Sequence, residues 1–150
     1  MERALQDVLK VHCFGCGALN AHGLQIKSYH EVDELVCRWR APPFHIGYPG
    51  YVYGGTIASI VDCHAIWTAM DDHCRATGHD IASGALPFAF VTGKLGVSYL
   101  KPAAIDTELE LRAHVADKSE RKTIVACRVL QSGVEVANAE IVTVRVKPML

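Results

Sequence analysis

The chain has 150 residues, half of them hydrophobic, with 15 Lys or Arg against 16 Asp or Glu. That length suits one domain, residues 1–150, with a sizeable core, and a net charge of -1 gives no electrostatic ground for a nucleic-acid partner. No apolar run reaches the length of a membrane span, and "MERALQDVLK" lacks the apolar core of a secretion signal.

The expectation is therefore a soluble, cytoplasmic protein with no membrane partner. Its six cysteines (13, 16, 37, 63, 74 and 127) then read as reduced thiols, most of them buried. In chain order, residues 2–10 predict a short helix with Leu5, Val8 and Leu9 on one side. "HCFGCGALNAHG" reads as a glycine-rich loop. Residues 24–30 and 34–40 predict two strands joined by a turn at 31–33, with Leu35, Cys37 and Trp39 alternating onto one face. "APPFHIGYPG" is a loop punctuated by proline and glycine.

The stretch "GGTIASIVDCHAIWTAM" is too continuously apolar for a surface helix and too long for a typical strand. It predicts a helix starting near Gly54–Gly55, enclosed on most sides, with Trp67 in the core, and ending around Thr77–Gly78. Residues 78–90 read as loop flanking a cleft. Four strands follow: "FVTGKLGVSYL", with Val91, Leu95, Val97 and Tyr99 on one face; "TELELRAHV", with Thr107, Leu109, Leu111, Ala113 and Val115; then "RKTIVACRVL" and "VEVANAEIVTVRV", separated by the turn "QSG". A bulge is expected around Asn138 to Glu140, where the alternation falters. Two strands, a buried helix and four strands with hairpin-length links imply an α+β fold, a curved antiparallel sheet around one helix.

Asp62 is the anomaly in that helix. A carboxylate among Ile60, Val61 and Ile66 is costly to bury unless something compensates it. The paired glycines before it let another molecule approach the backbone, and free amides at a helix start can hold an oxyanion developing on a carbonyl. Two turns of helix span about 11 Å, too far for one chain's amides and carboxylate to serve one carbonyl. Two copies of the helix, packed antiparallel across a dimer, bring one chain's amides to the other's acid.

The order of elements, with "YPGYVYGGTIASIVD" and "LGVSYLKPAAIDTELELRAHV", resembles the hotdog-fold acyl-CoA thioesterases of the phenylacetyl-CoA (PaaI-like) group, over residues 13–146. The "CFGCG" opening looks like one branch of that group. The resemblance implies a sheet of about six strands wrapped around one long central helix, and an acyl-CoA substrate. It also implies sites at the interface of a homodimer or dimer of dimers. Its motif, His-Gly-Gly followed six residues later by an acid, makes Asp62 the nucleophile or general base and Gly54 the polarising amide. A Ser or Thr opening the strand after the helix falls at Thr92. Two positions depart: the motif histidine is Tyr53, and an asparagine often six residues before it is Gly47. Tyrosine can donate a hydrogen bond but does not titrate near neutral pH.

Candidate substrate contacts are Tyr53, Gly55, His45, Tyr48 and His64; for the last, the alternatives are a satisfied buried histidine or a dimer contact, and a structural role is the reading preferred. Lys94, Lys101 and Arg112 either meet coenzyme A phosphates or form a solvated face. Cys13 and Cys16 form a C-x-x-C, a weak metal signal on its own, to which His12, His22 or Cys37 could add ligands; the reading preferred is a tight loop near the cleft, with no metal and no cofactor. The leading expectation is hydrolysis of a small or medium acyl-CoA thioester. The alternatives are an acyl-CoA-binding hotdog protein without turnover, a hydratase or dehydratase, and a metal-binding module on Cys13 and Cys16.

Overall fold

The computed structural model describes residues 2–148. A one-turn helix α1 (Leu5–Val8) precedes strands β1 (Ser28–Glu31) and β2 (Glu34–Trp39). The long helix α2 (Gly54–Thr77) is followed by a single 3-10 turn (Ile81–Ser83). Strands β3 (Ala89–Tyr99), β4 (Leu109–Lys118), β5 (Lys122–Gln131) and β6 (Val134–Val146) complete the chain. All six strands form one antiparallel sheet in the order β1-β2-β4-β5-β6-β3. It packs around α2, as expected for the α+β reading. Among the described residues no helix is long and apolar enough to cross a membrane.

The period-two patterns account for the packing. Leu35, Cys37 and Trp39 of β2 stand opposite Ala113, Leu111 and Leu109 of β4, and all six are buried against the helix. Val125, Cys127 and Val129 continue that face on β5, and Ala137, Ala139, Ile141 and Thr143 on β6. From α2 the core receives Ile57, Ile60, Val61, Ala65, Trp67 and Ala69. The helix is nearly surrounded, with no exposed residue from Gly54 to Cys74, which explains the predominance of apolar and small side chains up to Met70. It ends at Gly78, whose φ of +73° forms a left-handed cap with its N–H on the Cys74 carbonyl. The β5–β6 turn has Ser132 at φ +48° and Gly133 at +78°, the two positive dihedrals a tight hairpin demands.

Expectations are corrected in three places: in β6, at the N-terminal elements and in β3. The expected bulge near Asn138 to Glu140 is absent. Those residues pair in register with β5, and the irregularity falls earlier, where Val129 faces Ala137 and Leu130 faces Glu135. The strand expected over residues 24–30 begins only at Ser28, and α1 is shorter than residues 2–10. The third correction bears on the site. In β3 the register shifts between Thr92 and Lys94, leaving Gly93 as an extra residue. Thr92 therefore stands opposite buried Thr143, while Leu95, Val97 and Tyr99 stand opposite Ile141, Ala139 and Ala137. Val91 leaves the predicted face and Thr92 joins it.

Candidate functional site

Tyr53 caps the N-terminus of α2 with extended backbone (φ -58°, ψ 130°) and without a side-chain cap hydrogen bond. The first amides of a helix have no intrahelical acceptors, so the Gly54 and Gly55 N–H groups stand at a bare positive end. The preceding loop is fixed tightly around them. Ile46 bridges Val52, the Tyr53 N–H donates to the His45 carbonyl at 2.8 Å, and the Val52 N–H donates to the Ala103 carbonyl at 2.8 Å.

In front of this helix start lies an open groove of about 790 Å³, lined by Tyr48, Tyr51, Tyr53, Gly54, Tyr99 and Lys101 among others. Its walls are mainly apolar and aromatic. Tyr99 reaches from β3 to donate its hydroxyl to the Gly54 carbonyl at 2.6 Å, and burial raises its phenol pKa. The Tyr53 ring lies on Gly55, where an added Cβ would be 2.4 Å from Tyr53 Cε1. Tyr99 is a wall of the groove that the sequence reading missed; only the sheet order brings the end of β3 to the start of α2.

Asp62 sits two turns further along α2, half-buried. Thr92 Oγ1 donates to its Oδ1 at 2.5 Å. The structure thus brings Asp62 and Thr92 together, and Tyr48, Tyr53 and Gly54 together in the groove, as two separate groups in one chain.

Other candidates occupy different places. His64 is corrected as a substrate contact: it is fully buried, its Nε2 donates to the Leu35 carbonyl at 2.9 Å, and its Nδ1 pairs with Ser28 Oγ at 2.9 Å. Since a carbonyl only accepts, Nε2 carries a proton; burial lowers the pKa to about 4, so the ring is neutral near pH 7. Ser28 also receives the buried Gln6 Nε2 at 2.9 Å, tying α1 and β1 to the central helix. His45 is outside the groove lining. Its Nδ1 pairs with the buried Thr56 hydroxyl at 3.0 Å, so it braces the loop against the first helical turn. Arg112 is engaged on the sheet with Glu31, Glu34 and Glu110, whereas Lys101 borders the groove.

Near Asp62 lies a second feature. The loop 12–17 packs onto α2 so closely that a Cβ on Gly15 would stand 2.3 Å from Cys63 Sγ. Cys13 and Cys63 sulfurs are 3.7 Å apart, and with Cys16 they form a group whose three sulfurs all lie within 4.8 Å of one another. The Cys63 thiol, foremost, lowers the Cys16 pKa to about 6, and its own pKa is raised in turn. All six cysteines are free thiols. Cys63 was missed as a partner of Cys13 and Cys16, because 47 positions of sequence separate it from Cys16.

A model of the thioesterase superfamily matches residues 49–137, which include the groove loop, α2, Thr92 and Tyr99. Among solved structures, a thioesterase superfamily protein from Shewanella loihica is 33% identical, with 83% of this chain and 93% of that one covered at a TM-score of 0.63. A phenylacetic acid degradation-related protein from Ralstonia eutropha shares 22% identity over 81% of this chain and 85% of its own, at a TM-score of 0.62. A Streptococcus mutans protein bound to acetyl CoA shares 16% identity over 93% and 100% of the two chains, at a TM-score of 0.61. The curved six-stranded sheet around one long helix is common to them, and on the sequence match across the helix and its flanking strands this chain belongs to the thioesterase superfamily.

Proposed function

We propose that the protein hydrolyses a small or medium acyl-CoA thioester at a site shared between two copies of the chain. The observation that carries this reading is the Asp62–Thr92 pair lying two turns beyond an uncapped, glycine-built helix start that opens on an apolar groove. Gly54 and Asp62 are eight residues apart, a rise of about 12 Å, too long for both to reach one carbonyl. A second copy with its helix antiparallel supplies the missing half.

In this mechanism the thioester carbonyl accepts a hydrogen bond from the Gly54 N–H, where the helix dipole favours the negative charge that develops on oxygen. Asp62 of the partner subunit acts in one of two ways. It attacks the carbonyl carbon, giving a mixed anhydride that water then cleaves, or it takes a proton from the water that attacks directly. Either route expels coenzyme A as its thiolate and leaves the free acid. Thr92 holds the carboxylate in place for either role. Membership of the thioesterase superfamily supports the reaction class. The acetyl CoA held by the Streptococcus mutans neighbour supports the ligand class. The groove's volume lies in the ordinary range of ligand pockets, about 300–1,000 Å³.

A second reading, acyl-CoA binding without turnover, is favoured by the Tyr53 ring that covers Gly55, at the histidine position of the motif the sequence resembles. One experiment separates the two. Thiol release is followed across acyl-CoA thioesters of different chain length and aromatic character, for the parent and for Asp62→Asn. Turnover that Asp62→Asn abolishes supports hydrolysis. Saturable binding with no thiol release supports the carrier reading, and activity unchanged in Asp62→Asn removes the mechanism.

A further inference from the structure

The six cysteines divide into two kinds. Cys37, Cys74 and Cys127 are buried thiols whose pKa values burial raises, the behaviour of small apolar core residues. Cys13, Cys16 and Cys63 converge instead, two from a loop and one from the middle of α2, with every pair of sulfurs within 4.8 Å. The convergence is built into the backbone. Gly15 removes the side chain that would collide with Cys63, and Gly17 fits where a Cβ would stand 2.4 Å from the Cys13 nitrogen. Its N–H closes the loop onto the Cys13 carbonyl at 2.7 Å.

We propose that Cys13, Cys16 and Cys63 form a binding site for a thiophilic divalent cation, with Zn²⁺ the physiological class, clamping the N-terminal loop to the central helix beside Asp62. Thiolates are the ligands that zinc favours, at a Zn–S distance of about 2.3 Å, so two sulfurs on one tetrahedral ion stand about 3.8 Å apart. Cys13 and Cys63 already stand 3.7 Å apart. A disulfide would have to draw them to about 2.05 Å and would leave the third sulfur unused.

Among the described residues no fourth His, Cys, Asp or Glu joins the group. The fourth position falls to a solvent molecule, and the exposed Cys13 marks the side from which the ion enters. Binding displaces the remaining thiol protons to the buffer, with no change of oxidation state.

The test is a titration of the reduced, full-length protein, freed of metal, with Cd²⁺ alone, read by its thiolate-to-metal charge-transfer absorbance. Zn²⁺ is then added in competition. The expected result is one Cd²⁺ per chain, displaced by Zn²⁺ only in large excess, since soft thiolates favour the softer ion. Cys13→Ser, Cys16→Ser and Cys63→Ser should each weaken binding by more than the roughly 10- to 100-fold that loss of an outer-shell partner costs. Cys74→Ser and Cys127→Ser should leave it unchanged. Absence of the band in the folded parent overturns the proposal, and so does binding that survives Cys63→Ser intact. Recovery of a Cys13–Cys63 disulfide with no metal uptake after its reduction also overturns it. The parent titration depends on no variant folding, and none of these readouts depends on thioester hydrolysis.

Discussion

Thr92 and Asp62 are joined by a 2.5 Å hydrogen bond between two elements 30 positions apart in the chain. That contact exists because Gly93 bulges out of β3 and reverses its alternation, placing Thr92 on the face that looks at α2. The hydroxyl donates to one carboxylate oxygen, and among the described residues the other has no hydrogen bond.

Thr92→Val should therefore reduce turnover without unfolding the chain. A hydrogen bond to a charged group is worth about 1.5–3 kcal/mol, so a bond whose worth is realised only in the transition state predicts a fall of roughly 10- to 100-fold in kcat. Thr92→Ser restores the hydroxyl and should recover most of it. Steady-state thiol release, with circular dichroism as the folding control, checks both.

Gly55→Ala separates the helix start from the helix itself. Alanine favours a helix over glycine by about 1 kcal/mol, yet its methyl would stand 2.4 Å from Tyr53 Cε1 and push the ring into the groove. The melting temperature should hold or rise while KM rises several-fold. A variant with unchanged KM would mean that substrate does not approach along that ring.

His64 makes stability depend on pH. Burial holds its folded pKa at about 4, below the ordinary 6.5, so the unfolded chain binds the extra proton first. Stability is intact above pH 6.5 and declines as the pH falls toward 4, by on the order of 3 kcal/mol in all. His73 shifts in the same direction, through burial first and Arg145 next. Urea unfolding between pH 7 and pH 4 measures the slope, and His64→Gln should flatten much of it.

Val32 offers a stabilising change. It lies in the β1–β2 turn at φ +55°, 98% exposed, a left-handed conformation that a β-branched residue adopts only under strain. Val32→Asn should raise stability by about 1 kcal/mol, read as a higher urea midpoint with an unchanged slope.

The shared-site mechanism requires more than one copy. Sedimentation equilibrium should return a particle of two or four chains, and a solitary chain that still hydrolyses thioesters would exclude an intersubunit site.

Much of this molecule is legible one residue at a time. The enclosed helix follows from an apolar run too long for a strand, its ends from Gly54 and Gly78, and the sheet faces of β2 and β4 from strict alternation. Asp62 stands out because burying a charge is expensive, and Thr92 entered through a family resemblance rather than through its own pattern. Tertiary structure decided the rest. A bulge is a choice between register and twist that depends on the neighbouring strand, so the sequence did not place it at Gly93. The chain order cannot show that Tyr99 closes on Gly54, that His64 is satisfied inside the core by Ser28 and Leu35, or that Cys63 meets Cys13 and Cys16. Each of those contacts joins segments that only the wrapping of the sheet around α2 brings within hydrogen-bonding range.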